Sequence, residues 1–340
     1  MARPAPATGR DGEPLSRDWH APYPVDVPLI LSVHRRGPRD PAYRASPGAE
    51  VWRTVLTPDG PGTLRVTARA AGPATAPAPA RPSRGTEFTP ASAPASGTVV
   101  RASAWGPGAG WLLDELPAML GAADDPAAFR PGHPVLAHTL ARHPGLRVGR
   151  SGRVLEALVP AVLEQKVVSI EAHRAWRLLL LRFGAPAPGP APAGMRVFPP
   201  ARTWATIPSW EWHRAGVEGV RGRTIASAAV VAGRLEEIAG LPAAAGDRRL
   251  RSLPGIGPWT SAEVRQRACG DPDAVSVGDY NLPGAVGWAL AGRKVDDAGM
   301  LELLAPYSGQ RYRATRLVEL SGARPPRHGP RMPVRDYRSF

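Results

Sequence analysis

The sequence predicts an α+β protein in which a small N-terminal antiparallel β-sheet domain is followed by an all-α domain. Three observations carry this prediction. Between residues 25 and 106, short apolar or alternating segments are separated by turn signals, as is typical of antiparallel strands. After Gly110, apolar residues recur every three or four positions, which is the period of an amphipathic helix. The length of 340 residues allows one to three domains.

The predicted sheet contains four strands. The first is VDVPLILSVHR, which is apolar and β-branched. The next two form a hairpin around Asp59-Gly60 in EVWRTVLTPDGPGTLRVTARA, and the fourth is GTVVRASAWG. The Pro/Ala-rich stretch at 71–96 has nothing to pack and is predicted to be a low-complexity loop.

The helical region begins with leucines at helical spacing after Gly110. An amphipathic helix is predicted from Val154, a second from about Ser169 to Phe183, and further helices as far as residue 321. The predicted domains are a flexible N-terminus at 1–18, an antiparallel sheet domain at 19–108, an all-helical domain at 109–324 and a basic flexible tail at 325–340.

The charge of the chain favours a polyanionic partner. There are 43 basic and 29 acidic residues, which gives a net charge of +14. Nucleic acid is the first candidate partner, and an arginine-rich proteome is the alternative explanation. The only lysines are Lys166 and Lys294, so any lysine is an unusual choice for this chain.

Several classes of protein and site are disfavoured. Cys269 is the only cysteine, so an internal disulfide and an iron–sulfur cluster held by four cysteines are both excluded. The first residues lack the apolar core of a secretory signal, and no run of about 18 apolar residues predicts a membrane span. We therefore expect a cytoplasmic, nucleoid-associated protein without membrane contact.

The stretch LPGIGPWTSAEV predicts a hairpin between two helices. Gly255 and Gly257 suit a tight turn and leave backbone amides bare, while Ile256 fills the gap between the helices. Pro258 begins the second helix and Thr260 adds a hydroxyl to its first turn. Amides at a helix N-terminus can bind phosphate, although an ordinary αα-hairpin would have the same pattern.

A carboxylate follows this hairpin at a fixed place. The stretch GDPDAVSVGDY brings Asp279 to the start of the helix that begins with NLPG. As a structural residue, Asp279 would be an N-cap. A cap is compatible with a functional role, because it would fix the carboxylate and keep it ionised.

Together these residues resemble the helix-hairpin-helix DNA glycosylases, and specifically the bacterial 3-methyladenine DNA glycosylase II group. The hairpin LPGIGPWT, the loop ending in VSVGDY and the stretch ALVPAVLEQKVVSIEAHRAWRLLLLRFG carry the resemblance, which covers residues 150 to 321. The sheet region matches the family only in order and size. The resemblance implies a hydrolase of base excision repair that extrudes a damaged base from DNA and cleaves its N-glycosidic bond.

The resemblance also implies roles for single residues. Asp279 falls on the catalytic aspartate, and the hairpin residues 255, 256, 257 and 260 fall on the segment that grips a DNA phosphate. Gln165 and Lys166 fall in the loop that fills the space of the extruded nucleotide. Trp259 stands where bifunctional relatives keep a lysine nucleophile, which implies an enzyme that leaves the strand uncut.

The predicted pocket for the base contains Trp259, Glu263 and Tyr280. Trp259 offers an electron-rich face to a cationic purine. Glu263 lies one turn further on the same helical face and would add a negative charge, unless it faces solvent. Relatives often carry an aromatic residue at Glu263 and a tryptophan near the chain end, whereas no tryptophan follows Trp288 here. These differences leave the base preference open.

The resemblance implies damaged double-stranded DNA as the partner, a monomeric enzyme and no metal or other cofactor. It leaves room for a monovalent cation at the hairpin carbonyls. Three alternatives stay open: a helix-hairpin-helix protein that binds DNA without catalysis, a glycosylase for a different damaged base, and a bifunctional glycosylase/lyase.

Overall fold

A five-stranded antiparallel sheet forms the N-terminal part of the protein. The computed structural model describes residues 13–46, 50–70 and 97–326. The strands are β1 (Leu15–Ala21), β2 (Tyr43–Ser46), β3 (Glu50–Thr57), β4 (Gly60–Ala70) and β5 (Thr98–Trp105), in the order β1-β5-β4-β3-β2. The predicted hairpin is confirmed, because Thr57 lies opposite Gly60 where β3 turns into β4.

Two predictions about the N-terminal region are wrong. The segment VDVPLILSVHR is helical, with α1 at Val27–Leu31 and a 3-10 turn at Ser32–His34. Asp26 caps α1 by accepting a hydrogen bond from the Leu29 amide, and a proline stands in its first turn, which is a helix-start signal. The predicted flexible N-terminus at 1–18 includes the start of β1. This strand lies at the sheet edge, where exposed polar residues hide the apolar alternation.

Helices make up the rest of the described chain, and the predicted α+β fold class is confirmed. They are α2 (Ala109–Met119), α3 (Pro134–Arg142), α4 (Val154–Leu163), α5 (Ser169–Phe183), α6 (Ala201–Thr206), α7 (Ser209–Ala215), α8 (Gly219–Val230), α9 (Ala232–Glu236), α10 (Ala243–Arg251), α11 (Pro258–Val264), α12 (Leu282–Ala291), α13 (Asp297–Leu304) and α14 (Arg311–Ser321). A π-helical turn, Arg265–Cys269, extends α11.

Three cores hold these elements together. The sheet, α1 and α2 share one core, in which Leu64, Leu112 and Leu116 are fully buried. The predicted boundary at 109 therefore separates α2 from the sheet on which it packs. A central core joins α4 to α11, and a third core joins α3 with α12 to α14. The chain crosses from the central core to the third between Gly270 and Asn281, which is the segment that carries Asp279.

Some predicted features fall outside the described residues, namely most of the N-terminal segment, the low-complexity stretch at 71–96 and most of the basic tail. Within the described ranges, the helices are all too short or too polar to cross a membrane.

Candidate active site

The glycine turn joins α10 to α11 as the sequence predicts. Gly255 has a φ of +84°, and a Cβ there would lie 2.5 Å from the Thr224 hydroxyl, so this position requires glycine. Gly257 has a φ of −95° and open space where a Cβ would point. Ile256 is 6% exposed and packs in the central core. The two glycines thus differ: Gly255 is needed by the turn, whereas Gly257 keeps the outer surface of the turn clear.

The Asp279 carboxylate is held by three donors. Its Oδ1 accepts hydrogen bonds from the amides of Asn281 at 2.8 Å and Leu282 at 2.9 Å. The predicted N-cap role is not observed, because Asn281 is the N-cap residue of α12 and Asp279 lies two residues before it. Its Oδ2 accepts a hydrogen bond from the Trp259 indole Nε1 at 3.2 Å. All three donors hold this half-buried carboxylate in one orientation.

The contact between Trp259 and Asp279 joins two parts of the fold. Trp259 is half-buried against the central core, and Asp279 accepts a hydrogen bond from Leu282, the first residue of a helix of the third core. The hairpin and the predicted catalytic carboxylate, which lie 20 residues apart in the sequence, therefore meet at the junction of these cores. The indole orients the carboxylate in addition to any contact it makes with a base.

Glu263 has a different environment from the one predicted. Its Oε2 accepts a hydrogen bond from Arg267 Nη1 at 2.7 Å, and its Oε1 accepts one from the Ser276 hydroxyl at 2.6 Å. Burial raises the pKa of this carboxyl, but Arg267, Ser276 and the nearby Arg36 outweigh burial, so the pKa lies below its ordinary value. The charge of Glu263 is already balanced by protein groups, and the expectation of a free negative charge facing a cationic base is wrong on this point.

The Glu263 network holds the loop that leads to Asp279. Ser276, which bonds to Glu263, also accepts a hydrogen bond from Gln266 Nε2 at 2.9 Å. The same amide donates to the Ala274 carbonyl at 2.9 Å. Gln266, Arg267 and Ser276 were missed by the sequence analysis. The spacing of Glu263 and Arg267 by four residues on one helix was the signal that could have indicated their ion pair.

We expect Glu263→Gln to destabilise the fold. Its side chain and that of Arg267 are 12% and 14% exposed, so loss of the pair should lower the free energy of unfolding by about 2 kcal/mol, between values for exposed and fully buried pairs. Because the folded-state pKa lies below 4.5, this stabilisation is complete above the unfolded-state pKa and is lost as the pH falls through the folded-state value. Urea denaturation at pH 7 and at about pH 3.5 measures both effects.

The matched control is Glu302→Gln, which makes the same change on an exposed residue of α13. The difference between wild type and Glu263→Gln should shrink at the lower pH. Equal stability of the two variants at pH 7 would contradict the paired role of Glu263.

The loop between α4 and α5 touches the hairpin. Gln165 Nε2 donates hydrogen bonds to the Gly255 carbonyl at 2.9 Å and to the Thr260 hydroxyl at 2.8 Å. Thr260 is only 2% exposed, so the predicted contact of its hydroxyl with a DNA phosphate does not fit this arrangement. Lys166 is exposed at the tip of the loop, as its predicted role requires.

Tyr280 lies beside the site and not within an enclosed pocket. Its side chain is 97% exposed, although Asp279 next to it is half-buried. Of the predicted site residues, the structure brings Trp259 and Asp279 into direct contact, and Gln165 into contact with the hairpin. Tyr280 and Lys166 are both exposed at the surface.

Comparison with known proteins supports this architecture. The 3-methyladenine DNA glycosylase of Archaeoglobus fulgidus superimposes with a TM-score of 0.69 at 16% identity, over 90% of this chain and 98% of that chain. The 8-oxoguanine glycosylase/lyase of Clostridium acetobutylicum, in its apo form, superimposes with a TM-score of 0.62 at 10% identity, over 92% and 99% of the two chains. The chain has the fold of the DNA glycosylases.

A sequence relative supports the predicted resemblance. A protein of Mycobacterium tuberculosis (strain CDC 1551 / Oshkosh), named "Probable bifunctional transcriptional activator/DNA repair enzyme AlkA", is 32% identical over 153 residues. These residues are 44% of this chain and 30% of the relative, so the chain spans about three tenths of the length of the curated relatives it matches. No family model matches the chain.

The glycosylase fold alone does not choose a substrate or a reaction. The two solved structures above share it, and their names specify different damaged bases and, in one case, an additional lyase activity. The fold therefore leaves the substrate and the reaction of this chain open.

Proposed function

We propose that the protein is a monofunctional DNA glycosylase that hydrolyses the N-glycosidic bond of alkylated purines extruded from double-stranded DNA. The observation that carries the proposal is the Asp279 carboxylate, fixed by Trp259 and by the start of α12 directly beside a glycine hairpin. The names of the Archaeoglobus fulgidus and Mycobacterium tuberculosis proteins, which specify 3-methyladenine and DNA repair, support the same function.

Asp279 would stabilise the transition state of hydrolysis. When the bond between C1′ and the base breaks, its electron pair leaves with the base and the sugar becomes an oxocarbenium cation. A carboxylate ~4 Å from that cation, at an effective dielectric constant of ~20, contributes roughly 4 kcal/mol, which corresponds to about 10³ in rate. Water then adds to C1′ and loses a proton, which the Asp279 carboxylate would accept.

Alkylation makes purines suitable substrates for such a site. Methylation at N3 or N7 gives the purine a positive charge, and the base leaves as a neutral molecule. Extrusion from the duplex costs a few kcal/mol, and this cost is lowest for damaged bases. The Trp259 indole would favour a cationic ring over a neutral one through its quadrupole. Glu263 is not part of this selection, because Arg267 balances its charge.

The hairpin would bind the DNA backbone. The first amides of α11 have no carbonyl acceptor within the helix, and they lie next to the open surface of Gly257. The surplus of basic over acidic residues and the exposed Lys166 would add to the attraction for phosphate. Binding should therefore weaken steeply with salt.

A monovalent cation is compatible with the hairpin but is not needed for any step. The carbonyl of Leu253 accepts a hydrogen bond from the Ile256 amide, and that of Gly255 accepts one from Gln165. Each carbonyl oxygen keeps a second lone pair that could bind a cation.

The enzyme would act as a monomer in the cytoplasm.

The test is base release from duplexes that each carry one lesion. We expect 3-methyladenine and 7-methylguanine to be released well before hypoxanthine, uracil or 8-oxoguanine. Release of 8-oxoguanine in preference to the methylated purines would assign a different substrate. DNA binding without release of any base would identify a non-catalytic binding protein.

We also expect no covalent intermediate. Trp259 occupies the hairpin position at which the family's lyases carry a lysine, and Lys166 and Lys294 are the only lysines of the chain. Treatment of the enzyme–DNA reaction with borohydride should trap no adduct, and the abasic strand should break only on alkali treatment. A bifunctional glycosylase/lyase assayed in parallel is the positive control, and a trapped band with this protein would overturn the monofunctional assignment.

A further inference from the structure

The loop between α4 and α5 is braced against the hairpin by one side chain. Gln165 Nε2 donates to the Gly255 carbonyl in the turn and to the Thr260 hydroxyl in the first turn of α11. In the sequence, Gly255 and Thr260 flank the hairpin residues, including Gly257, that would bind a phosphate. Both donor positions of the amide are therefore used within the protein.

The preceding residue fixes the same loop from the opposite side. Glu164 Oε1 accepts a hydrogen bond from Arg36 Nη1 at 3.1 Å, and the Arg36 and Glu164 side chains are 7% and 17% exposed. Arg36 is itself held, because its backbone amide donates to Asp40 Oδ2 at 2.6 Å. The loop is thus bonded to the segment after α1 at Glu164 and to the hairpin at Gln165.

The backbone conformation of the next residue, Lys166, is consistent with these contacts. Lys166 has a φ of 55°, the left-handed conformation that non-glycine residues rarely adopt, and no other non-glycine residue in the described ranges has a positive φ. Such a conformation persists where neighbouring contacts impose it. Here the neighbours are the two bonded residues, and the result is an exposed lysine that projects from a fixed loop.

We propose that Gln165 is a positioning residue that sets the Lys166 loop relative to the hairpin, so that phosphate binding at the hairpin and entry of Lys166 into the space of the extruded base occur together. Gln165 acts through Gly255 and Thr260 and does not itself bind DNA. The inference rests on the proposed function, because it assigns the loop a part in base extrusion.

If the contacts of Gln165 preorganise the loop, their removal should affect base release more than affinity for DNA. A free loop would have to be ordered each time DNA binds and a base leaves the stack, so removal of the brace should slow extrusion and base release. Affinity for undamaged duplex depends on the hairpin amides and on charge, and it should change little. A direct contact of Gln165 with DNA would instead weaken binding.

The central variant is Gln165→Met, which keeps the length of the side chain and removes the amide. In single-turnover assays on a methylated duplex, we expect base release to fall about tenfold, with the Kd for undamaged duplex within about twofold. Thr260→Val removes one acceptor, and the double variant should lose less than the product of the two single losses, because both act on one contact. Thr206→Val on α6 is the matched control, and its effect should multiply independently with that of Gln165→Met.

A second measurement needs no catalysis. An endoproteinase that cuts after lysine has two targets in this chain, Lys166 and Lys294. Gln165→Met should raise the rate of cleavage at Lys166 about tenfold, while cleavage at the exposed Lys294 gives the internal reference and stays unchanged. This result would stand even if the wild-type protein released no base, in which case the proposed function alone would fail.

Unchanged cleavage at Lys166 in Gln165→Met would overturn the inference. A loss of affinity equal to the loss of rate, with independent effects of Gln165→Met and Thr260→Val, would also overturn it and would indicate that Gln165 contacts DNA directly.

Discussion

Asp279→Asn is expected to reduce base release by at least ~10² while DNA binding is retained. The substitution removes the negative charge that would stabilise the oxocarbenium cation, but it preserves the size of the side chain. Asparagine keeps a carbonyl oxygen at this position, so it can still accept from the amides of Asn281 and Leu282 at the start of α12. Single-turnover release of methylpurine and the Kd for the same duplex separate the two effects.

The matched control is Asp59→Asn, the same chemical change at an exposed residue in the turn between β3 and β4. It should leave both rate and affinity at the wild-type level. Near-normal turnover by Asp279→Asn would remove Asp279 from the mechanism. Loss of binding in that variant would indicate that the carboxylate holds the DNA-binding surface together.

Gly257→Val is expected to weaken DNA binding about tenfold or more without disturbing the fold. The backbone at Gly257 is extended, and a Cβ there meets nothing within 4 Å in the described protein. A side chain at this position would instead occupy the space in which a phosphate must approach the amides. The loss should be equal for damaged and undamaged duplexes, because the hairpin contacts only the backbone.

Gly255→Val provides the contrast. Its positive φ and the close approach of Thr224 should make this variant unstable, so its loss of binding would accompany a lower melting temperature. Gly257→Val should melt as the wild type does. If Gly257→Val binds DNA normally, or loses affinity for one lesion only, the hairpin is not a backbone-binding element.

Local signals predicted the hairpin and the position of Asp279. Gly255 and Ile256 behave as expected because a tight turn and a buried plug are decided by residues adjacent in sequence. Asp279 was predicted as an N-cap and lies two residues before the N-cap position, but its carboxylate still reaches the free amides of Asn281 and Leu282 at the start of α12. The predicted β3–β4 hairpin was confirmed for the same reason, since a two-residue turn joins strands that are next to each other in the chain.

Contacts between distant segments could not be predicted in this way. Gln165 lies 90 residues from Gly255, and no sequence pattern indicates that its amide would be used on the hairpin. The helical position of Glu263 predicted a side chain that faces a base, whereas Arg267 and Ser276 bind both of its oxygens. The edge strand β1 lacks the apolar alternation that reveals buried strands.

The central claim is hydrolytic removal of an alkylated purine, and one measurement tests it directly. A duplex with a single 7-methylguanine is incubated with excess wild-type protein, and both the released base and the integrity of the strand are followed. We expect free 7-methylguanine in an amount equal to the abasic sites formed, with a strand that stays intact until alkali is added. Absence of free base, or strand cleavage before alkali, would contradict it.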